Sequence, residues 1–247
     1  MKLYPKLSAL GAVLVLSTAF ASADTIDLSS NSGSTFYNGY SPLVPLPIGG
    51  TPIAPPTFQG SGVNNNPIYN PPFLNEFNTF VIDPGSVWAP ALGDSGWVSY
   101  DPNSGPTGSE ATSDANGFYS YSTVFVTTGG LYTGSLSVAA DDTVEVLLNG
   151  VVISPFGAIG SDATCADGAP NCRDGGDVTI ALGSSTPGFL DDTGNTLTFV
   201  VAQTGSSDQG LDYSGSISPV PEPNTLMLLG TGLLGSAGAL FRKMRTV

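Results

Sequence analysis

Between residues 77 and 204 the chain never keeps one character for long. "FNTFVID", "SGWVSYD", "GFYSYSTVFVTT", "LYTGSLSVAA", "DTVEVLLNGVVI", "GDVTIALG" and "NTLTFVVAQT" are short runs rich in Val, Thr, Tyr and Phe, each bounded by turn-forming residues. Runs of this length bury a side only by pairing as strands, so they predict an all-β sandwich or barrel. No useful stretch of helical period occurs before residue 225. The pattern is sharpest in "SLSVAADDTVEVLLNGVVI". There Leu136, Val138 and Ala140 share one strand face, Asp141 and Asp142 read as the turn, and Val144, Val146 and Leu148 return on one face. Asn149-Gly150 is then a strong two-residue hairpin signal, because both residues tolerate positive φ.

Upstream the texture differs. Residues 24–76 contain "SPLVPLPIGGTPIAPPTFQGSGVNNNPIYNPPF", which has too few periodic apolar residues for confident strands. An extended spacer and an N-terminal strand with long loops both fit this composition. The expected organisation is residues 1–23 as a leader, 24–76 as this extended segment, 77–218 as the β domain and 219–247 as a tail.

Charge position matters more than charge total. All 20 acidic residues lie from Asp24 to Glu222, against Arg173 alone, so this span carries 1 − 20 = −19. Such a surface repels phosphate backbones and anionic lipid, which excludes nucleic acid as a partner. The basic residues sit at the two ends instead. "MKLYPKLSALGAVLVLSTAFASADT" has Lys2 and Lys6, an apolar stretch from Leu7 to Phe20, and the small-residue triplet Ala21, Ser22, Ala23. This is the pattern of a secretory signal peptide, read by signal peptidase with cleavage expected before Asp24.

Export makes Cys165 and Cys172, the two cysteines of the chain, a candidate disulfide. Closing that eight-residue loop is worth roughly 2.5 kcal/mol in the chain-entropy model, enough to staple a loop but not to hold a fold.

Catalytic chemistry finds few tools here. The chain has no histidine, and no lysine lies between Lys6 and Lys243, so Ser-His, Cys-His and Ser-Lys machinery is missing. The triplet Asp192, Thr193, Gly194 occurs once and reads as a turn rather than half of an aspartic dyad. No enzyme activity is expected. Calcium is the subtler candidate: Asp141, Asp142, Asp191 and Asp192, with Asp162, Asp167, Asp174 and Asp177, are hard oxygen donors in loops. None falls in an EF-hand loop or a nonapeptide repeat, and turn formation explains the same residues.

The tail combines three parts in order. Val220, Pro221, Glu222 and Pro223 come first, then 17 uncharged residues from Thr225 to Phe241, then Arg242, Lys243 and Arg245. As a helix the apolar stretch would span about 25 Å, at the short end of what crosses a bilayer. The basic cluster would remain cytoplasmic and place the acidic domain outside. The two prolines lack amide protons and keep the motif extended ahead of the helix. This combination closely resembles the PEP-CTERM sorting signal, a tail also catalogued as the "ice-binding protein C-terminal" domain. The resemblance implies an exosortase as processing partner, a transient stay in the inner membrane, and release to the cell surface or an exopolysaccharide matrix.

The central portion, through "GSVWAPALGDSGWVSY", "GFYSYSTVFV" and "ADDTVEVLLNG", is similar to the galactose-binding-like jelly-roll domains of secreted bacterial proteins. That resemblance implies a β-sandwich with ligand loops at one end and fixes no binding residue. Trp88 and Trp97 have the chemistry to stack on sugar rings, but core packing is the commoner fate of large aromatics in a sandwich. The function expected is that of a non-enzymatic surface or matrix protein. A calcium-assisted carbohydrate-binding module comes second and a glycoside-acting enzyme third.

Overall fold

The structure is a computed structural model, and it describes residues 24–42, 77–107, 114, 116–158, 165, 168–205, 208–221, 230–238 and 242. Among the described residues the strands form two six-stranded sheets. The first contains β1 (Ile26–Ser29), β4 (Phe80–Val81), β5 (Val98–Ser99), β7 (Tyr132–Asp141), β10 (Val178–Gly183) and β12 (Gly210–Pro219). Its order is β10-β7-β12-β5-β4, with β1 also paired to β12. The second runs β3 (Phe77–Asn78), β2 (Phe36–Pro42), β6 (Gly117–Val126), β11 (Gly194–Gln203), β8 (Thr143–Leu148) and β9 (Val151–Ser154). The expected all-β sandwich is what forms.

Alternation along the strands builds the core. In β11, Leu197, Phe199 and Val201 are fully buried and stand opposite Leu148, Val146 and Val144 of β8. On the other side the same three stand opposite Thr123, Tyr121 and Tyr119 of β6. Leu136, Val138 and Ala140 of β7 join this cluster from the first sheet, with Leu211, Tyr213 and Ile217 of β12. The Phe199 and Tyr213 rings stack with centroids 4.4 Å apart. Part of the second sheet's opposite face is also covered: Phe118, Leu147, Val200 and Ala202 are buried with Phe156 packed on them.

Asn149-Gly150 is the hairpin turn that the sequence announces. It joins β8 to β9 with φ of 49° and 82° at its two residues. Asp141-Asp142 is not a hairpin turn, which corrects the sequence reading. β7 and β8 lie in different sheets, and the chain crosses from one to the other at these two residues. The Asp142 amide already donates to Ala202 O at 3.0 Å, continuing into the β8–β11 ladder. A period-2 pattern reports which face is buried but not which sheet owns the strand.

Residues 24–42, which composition leaves open between spacer and strand, supply β1 and β2. β1 pairs antiparallel with β12, Ile26 opposite Ile217, and β2 pairs with β6 through an irregularity between Tyr37 and Gly39. β12 itself, in the interior of its sheet, is rich in Ser and Gly and carries no clear strand signal. Gly134 of β7 and Gly215 of β12 explain part of that composition. A Cβ on Gly134 would run into Ser216 O, and one on Gly215 into Ser135 O.

The chain divides into two compact units. One is the sandwich, Ile26–Ile217. The other combines Met1–Thr25 with Ser218–Val247, and in it the Thr25 and Ser218 hydroxyls lie 2.9 Å apart. Residues 230–238 of this second unit are helical. Among the described residues no helix is long and apolar enough to cross a membrane. The rest of the expected span over 225–241 lies outside the described residues.

Candidate functional site

Strand register defines the two ends of the sandwich. Gly117 stands opposite Gln203 and Pro42, and Thr143 opposite Ala202, so the loops leaving these strands share the end where the sheets are crossed. Val126 stands opposite Gly194 and Leu148 opposite Val151, which marks the hairpin end.

At the crossover end Asp141 and Asp142 are 0% and 1% exposed. Asp141 Oδ2 accepts the Trp88 Nε1–H at 2.7 Å, and Asp142 Oδ2 accepts the Thr204 amide at 2.6 Å and the Thr204 hydroxyl at 2.8 Å. The remaining oxygen of each carboxylate has no partner. Burial holds the Asp141 carboxyl well above the ordinary carboxylate range, and the adjacent Asp142 pushes it the same way. The Trp88 N–H and the Cys165 backbone oppose that shift without cancelling it. Asp141 therefore keeps its proton at neutral pH, and the pair is less charged than its sequence suggests.

Trp88 and Trp97, offered by the sequence as sugar-stacking aromatics, are 4% and 1% exposed and pack on each other at 4.7 Å. No ring face is left for a ligand, so the stacking role is withdrawn. They share a small core with Ile82, Ala139, Cys165 and Cys172. The expected Cys165–Cys172 disulfide is formed, with Cα atoms 5.1 Å apart. The Asp141 carboxylate lies near it, each potential ligand atom within 4.8 Å of the others. Cysteines joined to each other offer no thiolate, so this triad is not a thiolate metal site.

Asp191 and Asp192 are exposed at the opposite end. Ser184 Oγ donates to Asp191 at 3.4 Å, and the Gly129 amide donates to Asp192 at 3.3 Å. Ser184 contacts Tyr132, where β7 starts, while Asp141 is where β7 stops. Ten strand residues span roughly 30 Å, so Asp141, Asp142, Asp191 and Asp192 cannot serve one calcium ion. Asp192 has φ 55°, and the Asp192–Gly194 stretch is the turn expected of it.

A second polar cluster at the crossover end was not singled out by the sequence. Asp114 is 1% exposed, and its Oδ1 accepts the Tyr100 hydroxyl at 2.5 Å and the Ser104 hydroxyl at 3.3 Å. Ser104 ties the neighbourhood together: its amide donates to Asp101 O at 3.2 Å, and its carbonyl accepts the Gln209 amide at 2.9 Å. Tyr100 stacks on Tyr119, which meets Tyr40 at 4.9 Å. Burial pushes the Asp114 carboxyl up to about 6, over the opposing hydroxyls, with Asp101 and Asp208 adding like charge. Asp101 and Ser104 fall in "DPNSG", which reads as an ordinary turn, and Asp114 stands ten residues further on. Nothing in the sequence signals that they meet.

In the tail, Val220 and Pro221 are exposed. Glu222, Pro223, Lys243 and Arg245 lie outside the described residues. Residues 231–235, 237 and 238 are exposed, as is Arg242, while Gly230 and Ser236 are half-buried. Ala21 and Ala23 of the expected leader also lie outside the described residues, and Asp24 is exposed.

Residues 219–243 match the PEP-CTERM protein-sorting motif. This marks an exported protein with a transient membrane-anchored stage, addressed to an exosortase. No curated protein matches the chain. Among solved structures, a family 35 carbohydrate binding module from Clostridium thermocellum is similar at 15% identity, with a TM-score of 0.28 over 57% of this chain and 88% of that one.

Proposed function

We propose that the chain is a non-enzymatic protein of the cell surface or extracellular matrix. On this reading it is exported by its leader, held in the inner membrane by a helix over residues 225–241, and freed from that helix by an exosortase. The match of residues 219–243 to the sorting motif carries the reading. The signal peptide, the final location and the absence of catalysis belong to the proposal. They are supported by the basic-apolar-small pattern of residues 1–23, by the −19 charge of the span from Asp24 to Glu222, and by the lack of histidine. Exopolysaccharide is the expected surrounding, without a stated sugar. Burial of Trp88 and Trp97 removes the aromatic pair that would have favoured a carbohydrate-binding module.

The test replaces Pro221, Glu222 and Pro223 by Ala, Gln and Ala in a host with a working exosortase. Export should persist because residues 1–23 are unchanged. The variant should accumulate in the membrane at full precursor length, while the wild type yields a shorter product outside it. Equal size and equal fractionation of the two would refute processing at this motif. N-terminal sequencing of the exported product should begin at Asp24, and a product beginning at Met1 would refute the leader.

A further inference from the structure

We propose that Cys165–Cys172 is a site of thiol–disulfide exchange with a dithiol reductant, in which attack falls on Cys165 and the Asp141 carboxylic acid protonates the departing Cys172 sulfur. The carrying observation is a distance. One carboxylate oxygen of Asp141 lies within 4.8 Å of both sulfurs, and all three residues are buried. Asp141 Oδ2 is engaged by the Trp88 Nε1–H at 2.7 Å, but Oδ1 is buried without a hydrogen-bond partner. Such an unpaired buried group calls for an explanation, and a proton held ready for a neighbouring sulfur supplies one.

The two cysteines are held differently. Cys165 has φ 59°, a left-handed conformation that a residue with a Cβ adopts only at a cost, so opening of the loop relieves it. Cys172 is 0% exposed, and its carbonyl accepts the Ala89 amide at 2.8 Å, which keeps it beside Asp141 when Cys165 swings away. Local opening therefore presents Cys165 first. The leaving sulfur stays among Ile82, Trp88, Trp97 and Ala139. A bare thiolate is unfavourable in such apolar surroundings, and a poor leaving group slows exchange unless a proton meets it. Asp141 holds that proton, because burial and the adjacent Asp142, the other ionisable group that bears on it, keep its carboxyl neutral.

The step balances in atoms and electrons. A thiolate of the reductant bonds to Cys165 Sγ as the Cys165–Cys172 bond breaks, and the bond pair leaves on Cys172 Sγ, which takes the Asp141 proton. The products are a mixed disulfide on Cys165, a Cys172 thiol and an Asp141 carboxylate. The reductant's second thiol then displaces Cys165, which takes its proton from solvent, and the reductant ends as its own disulfide after a two-electron transfer. In reverse, the Asp141 carboxylate accepts the Cys172 proton as the loop closes. One residue serves both directions.

The experiment reduces the oxidised full-length chain in detergent with dithiothreitol, traps the freed thiols with a maleimide at timed intervals, and divides each rate by the concentration of attacking thiolate. For wild type this normalised rate should fall as pH rises from about 6 to about 10 and Asp141 gives up its proton. Asp141→Asn keeps an oxygen for the Trp88 N–H but carries no acidic proton. It should react about tenfold or more slowly at the lower pH and show no such fall. The sign separates this role from packing, since replacing a merely structural Asp141 would loosen the loop and speed reduction. Asp191→Asn at the hairpin end should react as wild type does. If Asp141→Asn does not fold, the wild-type pH profile decides alone. The proposal is overturned if the variant is reduced as fast as wild type or faster, or if the wild-type profile is flat.

Discussion

Asp141-Asp142 and Asp191-Asp192 are the same dipeptide with opposite fates. The first pair joins the two sheets, fully buried, with a tryptophan N–H on one carboxylate and a threonine on the other. The second sits in an exposed turn, holding long bonds to Ser184 and Gly129. Both follow an apolar stretch and precede a Thr, so the local sequence does not separate them. What separates them is what the fold brings from afar: Trp88 lies 53 residues from Asp141, and Thr204 lies 62 from Asp142. Asp therefore marks a change of chain direction in both places, but only long-range contacts decide whether it becomes a surface or a core residue.

Mutation should widen that contrast. Asp142→Ala strands the Thr204 amide and hydroxyl and should cost about 3 kcal/mol in urea unfolding. A loss no larger than that of Asp192→Ala would erase the distinction. Replacing Cys165 and Cys172 together by Ser should cost about 2.5 kcal/mol, since it frees the loop beside Asp141. Wild type treated with reductant should fall by the same amount, and no change in either would show that the staple does not support this end. Trp88→Phe keeps a ring but removes the donor to Asp141 and should cost about 1.5 kcal/mol. The control is Trp97→Phe, whose Nε1–H donates to Ala89 O instead. It should leave the pH response unchanged.

That pH response has a definite sign. The folded Asp141 carboxyl titrates well above its ordinary 3.8. Between those values the folded state binds more protons than the unfolded one. The stability is fully present below the ordinary value and is lost as pH rises toward the folded one, by about 1 kcal/mol per unit. The protein should thus be more stable at pH 5 than at pH 8, and Asp141→Asn should flatten the slope. A wild type equally stable at both would contradict the retained proton. Smaller still, Asp192→Ala should cost about 1 kcal/mol, because alanine lacks the short polar side chain that tolerates its φ of 55°, and Asp191→Ala should stay within about 0.5 kcal/mol.

Much of this fold was legible because its strands alternate. The runs around Leu136, Val146 and Phe199 bury the faces their periodicity assigns, and Asn149-Gly150 turns as its φ preference requires. β12 was not legible: Ser214, Gly215, Ser216 and Ser218 carry little apolar signal, since close backbone approach to β7 favours small residues there. The sorting motif could be read directly, because its recognition parts are contiguous in sequence. The Asp114 cluster could not, because it joins three loop positions through Ser104 and has no spacing of its own.

The pairing of β1 with β12 has a mechanical side. Ile26 faces Ile217 in an antiparallel ladder, so the strands that lead to leader and tail leave the sandwich side by side rather than from opposite poles. Tension between the chain's two ends would load that ladder at its first rung and open Ile26–Ile217, then Asp27–Ser216, then Leu28–Gly215, one pair at a time. A zipper yields at lower force than a ladder sheared along its length, where all the bonds resist together. While both ends are still held, a pull on them would strip four residues from the sheet edge and draw Leu28 out of the core it helps to close. Once either end has been cut, the same pull has nothing to grip.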